Sequence, residues 1–407
     1  MDKFIDNSVN LDGLNPTEQG ELALASEWLQ RNLPLRVGDG RGHTVLFMLL
    51  DGATPEQIRQ FQAKGAGALI LGIGGLRAQS LGLLAETDHA NNSPFMVEIA
   101  LDALDLPNFA SEIQANYPAP ELLNGLDLAS QKGGRKPVAP THSEMAQIAL
   151  NLIDMTDKMP QFLLVRAQND PNIFSANSGL DARGIWQIST RLAEFLSTAK
   201  PNAMLPILHK IDAVTVPLLN SDQTKIVGWR DARTHGEHLA LMIGNFNPKK
   251  SVLTRIHSSC LTGDALGSRR CDCGEQLQGA ISLMAENPDG GLILYLSQEG
   301  RGIGLINKLR AYQLQTDGMD TIDANHRLGF AADRRDYRIA ALMLQQMGLN
   351  QIRLLSNNPL KLSRLAAAAA EIGSSLSIAE RVSHKFPANP HNQSYLATKK
   401  IRAGHDL

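Results

Sequence analysis

The sequence predicts a two-domain α/β protein with mixed sheets, and three observations carry that expectation. Short apolar runs such as Val45–Leu50 and Leu292–Leu296 alternate with stretches of helical period, the pattern of layered α/β folds. At 407 residues the chain is long enough for two domains with separate cores. The halves also differ in charge. Residues 1–200 carry 15 basic against 23 acidic side chains, a balance of −8, whereas residues 201–407 carry +6.

In the first half, Leu22, Leu24, Ala25, Trp28 and Leu29 fall on one side of a helix predicted over residues 18–32. Strand Val45–Leu50 leads to Thr54-Pro55, a helix-start signature, and that helix runs to Lys64 before Gly65. Ala68–Gly72 reads as another strand. Gln131–Pro137 is a polar loop inside the first domain. Proline and small residues in Ser197–Pro206 end a helical pattern and mark the boundary. The expected division is therefore a domain at 1–200, a linker at 201–213 and a domain at 214–407. In the second half, Cys273 opens a helix with Leu277, Ala280, Ile281 and Met284 on one face. Asn287–Gly291 turns into strand Leu292–Leu296, and the loop Gln298–Gly304 leads to a helix reaching Gln315. Asp333–Gln346 is predicted helical, ended by Gly348, and Ile352–Leu355 is a strand.

Composition excludes several classes. No apolar run approaches the ~20 residues that span a bilayer, and the acidic start Met1–Asp6 lacks signal-peptide features, so the expectation is a cytoplasmic protein without a membrane partner. The basic second half suits an anionic small molecule. Nucleic acid is not expected as a partner, because no basic run carries interleaved aromatics and aromatics make up 5% of the chain.

All three cysteines, Cys260, Cys271 and Cys273, lie in one short stretch. An odd number does not build a disulfide framework, and a reducing compartment would not keep one. Three thiolates leave tetrahedral zinc one position short, the mark of a catalytic site. A structural site completed by His257 or a distant histidine, or three ordinary buried thiols, remain alternatives on spacing alone. Arg255, Arg269 and Arg270 flank the cysteines. Gln298–Gly304, Asp333–Tyr337 and Ser356–Lys361 follow. Zinc beside guanidinium groups suggests hydrolysis of a polyanion, since Arg grips phosphate bidentately.

Six segments now stand in one order: His-Ser-x-Cys-Leu-Thr-Gly-Asp-Ala, Arg-Cys-Asp-Cys-Gly, Gln-Glu-Gly-Arg-x-Ile-Gly-Leu, Asn-Lys-Leu-Arg-Ala-Tyr, Ala-Asn-His-x-Leu-Gly-Phe-Ala-Ala-Asp and Asn-Asn-Pro-x-Lys. On these the second half resembles GTP cyclohydrolase II. That family opens the guanine imidazole ring of GTP at the start of riboflavin synthesis, releasing formate and pyrophosphate. The resemblance implies one zinc ion per chain on Cys260, Cys271 and Cys273, and Asp272 as a turn or supporting residue. It implies Tyr312 beside the metal centre, Arg335 as the group acting at the α-phosphorus and Asp333 as its proton acceptor. Because a guanidinium stays protonated, Arg335 also reads as a stabiliser of phosphate charge. Arg334 is assigned to the solvent face.

For nucleotide binding the resemblance carries over Arg255, Ile256, His257, Ser258, Ser259, Gln276, Glu299, Gly300, Arg301, Thr321, Ser356 and Lys361. No P-loop is present. Magnesium is expected on the triphosphate, and a homodimer is implied. Ser259, Gly267, Ser297 and Gly302 depart from the common family pattern. A divergent paralogue acting on another purine nucleotide or stopping at an intermediate, and a non-catalytic nucleotide-binding or assembly subunit, stand as alternatives.

The first half is similar, more faintly, to dihydroxybutanone phosphate synthase. The carriers are Leu33–Val37, Ala53–Ile58, Gly67–Ile70, Leu81–Leu83 and Thr141-His142-Ser143-Glu144. That family's acidic loop, which holds magnesium and substrate, is replaced by Val37-Gly-Asp-Gly-Arg-Gly-His43, without a glutamate. The expectation is a degenerate, non-catalytic domain.

Overall fold

The computed structural model describes residues 14–38, 44–84, 94–99, 105–118, 122–124, 126, 140–167, 179–181, 184–198, 205–384 and 390–393. The loop Gln131–Pro137, most of Val37–His43, the first four residues of the expected linker (201–204) and the side chain of His142 lie outside the described residues. Two compact units emerge. One comprises Met1–Met204 with Ile322–Ala331, the other Leu205–Thr321 with Ala332–Leu407.

In the first unit, α1 (Pro16–Gln30) starts two residues before the expected position because Asn15 caps it. The Asn15 side chain accepts from Glu18 N, and Glu18 returns a carboxylate to Asn15 N, a capping box. Then come β1 (Leu35–Gly38), β2 (Thr44–Leu49), α2 (Pro55–Lys64), β3 (Gly65–Ile73), α3 (Gly75–Ser80), β4 (Phe95–Ile99), α4 (Leu106–Gln114) and α5 (Pro140–Ile153). β5 (Gln161–Ala167), β6 (Gly179–Leu180), β7 (Trp186–Gln187) and α6 (Thr190–Thr198) complete it. The sheet order is β4-β3-β5-β2-β1-β7-β6. Only β1 and β7 pair in parallel among these strands.

The apolar run of β2 is unbroken because both sheet faces are covered. Val45, Phe47 and Leu49 pack with residues of α1, α5 and α6, whereas Leu46 and Met48 face those of α2 and α4. Phe162 and Leu163 of β5 divide the same way. Leu24, expected on the buried side of α1, is instead 50% exposed. The narrower stripe Leu22, Ala25 and Leu29 suffices.

Residues 322–331, expected in the second domain, belong to the first unit. Arg77 on α3 is fully buried and explains this. Its guanidinium donates to the carbonyls of Ile113 (3.2 Å), Ala115 (2.7 Å) and Arg327 (2.6 Å). Arg327 in turn donates to the carbonyls of Asn116 (3.0 Å) and Ser80 and lies over the Tyr117 ring. Arg77→Ala would leave the carbonyls of Ala115 and Arg327 without this donor, while Ile113 O keeps Gln161 Nε2 (2.7 Å). The expected result is a loss of about 3 kcal/mol, read as a lower urea midpoint of the full chain. An unchanged midpoint would contradict the assignment.

The second unit begins inside the expected linker, since β8 (Leu208–Lys210) pairs with β10. Its strands continue with β9 (Val214–Thr215), β10 (Thr224–Asp231), β11 (Glu237–Ile243) and β12 (Val252–Ser258). Helix α7 (Cys273–Glu286), β13 (Gly291–Leu296) and α8 (Leu305–Thr316) follow, whereas α9 (Thr321–Arg327), next in the chain, belongs from Ile322 to the first unit. The remainder is α10 (Tyr337–Gln346), β14 (Gln351–Leu355), α11 (Pro359–Glu371) and β15 (Ser377–Val382). The order β15-β14-β12-β13-β11-β10-β8 joins a parallel block, β15 to β13, to an antiparallel one. On β13, Leu292, Leu294 and Leu296 pack with residues of α10 and α11, while Ile293 faces Leu277, Ala280, Ile281 and Met284 of α7. Parallel pairing places the carboxyl ends of β12, β13 and β14 at one edge of the sheet, where α/β proteins bind ligands. Ser259-Cys260 and Ser356 follow the ends of β12 and β14 directly, and Gln298-Glu299 follow that of β13 after Ser297.

Helix α10 starts four residues later than expected. Asp336 accepts from Arg338 N at the cap, which leaves Asp333–Arg335 as a non-helical approach. Arg334 is not on the solvent face. It is half-buried, with Nη1 shielded from water. No helix among the described residues is long and apolar enough to cross a membrane.

Candidate metal and nucleotide site

After Ser258 the chain leaves β12 through Cys260 into a π-helical turn, Leu261–Ala265, a conformation frequent at functional sites. The turn brings Cys260 beside Cys271 and Cys273, the last opening α7. The three sulfurs lie within 4.8 Å of one another, and Cys260 and Cys271 are 3.7 Å apart. Tetrahedral bonds of ~2.3 Å to zinc would set sulfurs ~3.8 Å apart, so the cluster fits the ion. Gly263 makes this closeness possible. A Cβ there would meet Cys271 Sγ at 2.8 Å and Cys260 Sγ at 3.0 Å. Three soft donors favour zinc over the harder divalent cations.

Within the cluster, hydrogen bonds from Cys271 and Cys273 push the Cys260 thiol far down, helped by the Lys308 ammonium. Cys271, the donor to Cys260, is pushed up in consequence. Asp272 is buried and accepts from Gln276 Nε2 (2.6 Å), a supporting role and not a fourth ligand.

Beneath the cysteines runs a buried polar chain. Gln276 Oε1 accepts from Arg255 Nη2 (2.6 Å), and Arg255 reaches His257 Nδ1 at 3.4 Å. Burial lowers Arg255 to about 10, still protonated at neutral pH. Burial also lowers His257, outweighing its bond with Asp264, so the ring is neutral at pH 7. His257 then donates from Nε2 to Asp264 (3.0 Å) and accepts at Nδ1. Asp264 further accepts from Cys260 N (2.9 Å) and Tyr295 Oη (3.0 Å), fixing the cysteine turn. His384 contacts the Gln276 carbonyl at 3.0 Å.

The loop after β13 carries Gly300 and Arg301 in left-handed backbone (φ 62 and 63). For arginine this is unusual, and such strain clusters at functional sites. Glu299 Oε2 accepts from Leu261 N (2.7 Å), joining the loop to the cysteine turn. Arg301 O accepts from Arg334 N (3.0 Å), joining it to the approach of α10. Gly302, one of the departures, lies against Arg334, where a Cβ would meet backbone at 3.0 Å.

Arg335 pairs bidentately with Asp333, both contacts 2.8 Å, and Arg364 adds a second guanidinium to Asp333. Burial alone would raise Asp333, but the Arg335 bonds and both positive charges outweigh it and hold the carboxyl at about 2. A depressed acid stabilises the fold above its ordinary 3.8 and loses that contribution as pH falls through about 2. Asp333→Asn is therefore expected to be about 2 kcal/mol less stable than wild type near neutrality, the gap closing toward about pH 2. A gap independent of pH would contradict this.

The remaining expected residues divide. Tyr312 on α8 is half-buried beneath Arg270 and Lys308, and burial pushes its hydroxyl up to about 12. Ser258 Oγ is buried without a partner, while Ser259 donates its N–H to Leu296 O (2.8 Å). Ile256 points into the core, and its carbonyl accepts from Lys361 Nζ (2.9 Å). Ser356 Oγ accepts from Asn358 N (3.1 Å) at the cap of α11. Thr321 opens α9 and makes no side-chain hydrogen bond to the cluster among the described residues. Asp264, Tyr295, His384 and Lys308 were not singled out. Asp264 and Lys308 lie inside the quoted segments, and Lys308 also stands at i,i+4 spacing from Tyr312.

The family model described as GTP cyclohydrolase II matches residues 209–382. GTP cyclohydrolase-2 of Azospirillum brasilense is 50% identical over 198 residues, 49% of this chain and 50% of that protein. The Pseudomonas putida (strain W619) protein of the same name is 50% identical over 180 residues, covering 44% of this chain and 84% of its own length. That of Hahella chejuensis is 51% identical over 181 residues, again 44% and 84%. The match thus spans half the length of the Azospirillum relative. A two-domain 3,4-dihydroxy-2-butanone 4-phosphate synthase from A. baumannii aligns over 90% of this chain and 99% of its own, with 14% identity and a TM-score of 0.24, too low to speak of a shared fold. With its cysteine turn, the loop after β13 and the Asp333–Arg335 pair all inside the matched region, the chain belongs to the GTP cyclohydrolase II family through its C-terminal half.

Proposed function

We propose that the chain opens the imidazole ring of GTP and releases formate and pyrophosphate. The product is 2,5-diamino-6-(5-phosphoribosylamino)pyrimidin-4(3H)-one, at the first step of riboflavin biosynthesis. The observation that carries the reading is a three-thiol cluster tied through Glu299 and Arg301 to the backbone of Arg334, next to Arg335. Zinc on Cys260, Cys271 and Cys273 supplies a Lewis acid and a source of hydroxide at neutral pH for hydrolysis at the base. Tyr312, kept protonated by its raised pKa, holds a proton at Oη beside the cluster. Gln276 and Glu299 present donors and acceptors to the guanine edge. Arg301 and Lys361 offer cations to the triphosphate, which carries magnesium.

Arg335 stabilises charge at the α-phosphate, and Asp333 aims it. A carboxyl held at about 2 is a weak base, which favours the orienting role over proton acceptance. Three free cysteines suit a reducing, cytoplasmic setting. The first unit is read as a non-catalytic, synthase-like domain and the assembly as a homodimer. Mass analysis of the pyrimidine formed from GTP tests the reaction. A formylated product would favour a divergent paralogue that stops early. Retained GTP and zinc binding without product would favour a non-catalytic subunit.

A further inference from the structure

Lys308 is buried at the centre of the site, yet no catalytic or binding role falls to it from the motifs. From the first turn of α8 its ammonium reaches Cys260 Sγ at 3.0 Å, Thr262 Oγ1 at 2.8 Å and Glu299 Oε1 at 2.8 Å. An ammonium has three donors, and these acceptors use all three. Lys308 is therefore not free to grip a phosphate. Its acceptors instead belong to two different parts of the site. Cys260 and Thr262 lie on the metal-ligand turn and Glu299 on the nucleotide loop, whose Oε2 bonds back to Leu261 N.

Charge gives the arrangement its purpose. Three thiolates around a divalent cation leave one net negative charge, and Cys260 and Cys271 are only 5% and 6% exposed. A buried charge needs a partner, and Lys308 stands in hydrogen-bonding contact with Cys260. Outer partners of this kind set ligand orientation and metal affinity. We propose that Lys308 is a positioning residue that neutralises and orients the Cys260 thiolate for zinc and, through Glu299, locks the nucleotide loop to the metal centre.

The inference rests on the zinc reading, and its test separates the two. Zinc affinity of the full chain is measured by competition with a chromophoric chelator for wild type, Lys308→Met and Lys308→Gln. Thr262→Val, which keeps the cation, serves as control. The cobalt-loaded forms are compared by their sulfur-to-metal charge-transfer band. The expected result is zinc binding weakened roughly 10–100-fold in both Lys308 variants, and by no more than about twofold in Thr262→Val. The charge-transfer band moves to lower energy in the Lys308 variants, because a thiolate relieved of a hydrogen bond gives up its electron more readily. A merely structural role would not move that band. Lys308 variants that bind zinc within about twofold of wild type, with the band unmoved, would overturn the inference while leaving the zinc reading intact. Wild type that takes up neither metal would overturn both.

Discussion

Cys271→Ser is expected to remove zinc from the chain and to lower turnover of GTP by about 10³-fold or more. The metal contributes several kcal/mol at the transition state, and each ~1.4 kcal/mol is a factor of ten. Serine is close in size, and Cys271 packs against sulfur and the Gly263 turn, so the sheet beneath should keep its far-ultraviolet signature. Metal content and activity are then expected to fall together while the fold persists. Treatment of the wild type with a chelator should reproduce the loss, and added zinc should restore activity only in the wild type. A variant that keeps stoichiometric zinc, or turns over within about threefold of wild type, would place the chemistry elsewhere.

Arg335→Lys should leave the metal in place and still lower pyrophosphate release by about 10²–10³-fold, the usual consequence of removing one prearranged donor to developing charge. Lysine keeps the charge but lacks the planar fork that engages both oxygens of Asp333 at 2.8 Å. The ammonium would be held by one contact and lose its aim. Arg364, already on Asp333, would keep the carboxylate paired and the approach to α10 folded. The two variants therefore fail in opposite ways, one without zinc and the other with it. Normal pyrophosphate release by Arg335→Lys would reduce Arg335 to a structural partner of Asp333.

Much of the second unit was legible because its signals are local. Leu277, Ala280, Ile281 and Met284 declare the buried face of α7, and the run Leu292–Leu296 declares a strand covered on both sides. The cysteine trio raised a soft metal site by number and spacing, with buried thiols left open, and the structure brings the three sulfurs within 4.8 Å. What remained hidden depends on partners distant in sequence. Nothing near Arg327 announces Arg77, its partner 250 residues away, so residues 322–331 were assigned to the wrong unit. Arg334 looked like the outward face of a helix start, but Asp336 caps the helix later and turns Arg334 toward Gly302. Lys308 and Asp264 sat inside recognised motifs, but their contacts appear only when the π-helical turn, the loop after β13 and α8 converge. Helix and strand alternation also predicted layers correctly without revealing that the first sheet is almost wholly antiparallel.

The most direct test of the central claim is the incubation of zinc-quantified full-length protein with GTP and magnesium, with formate and pyrophosphate measured separately. The account predicts both products in equal amounts, in proportion to bound zinc. Pyrophosphate without formate would contradict ring opening at the cysteine cluster. Neither product from a fully zinc-loaded chain would contradict the assignment of GTP as substrate.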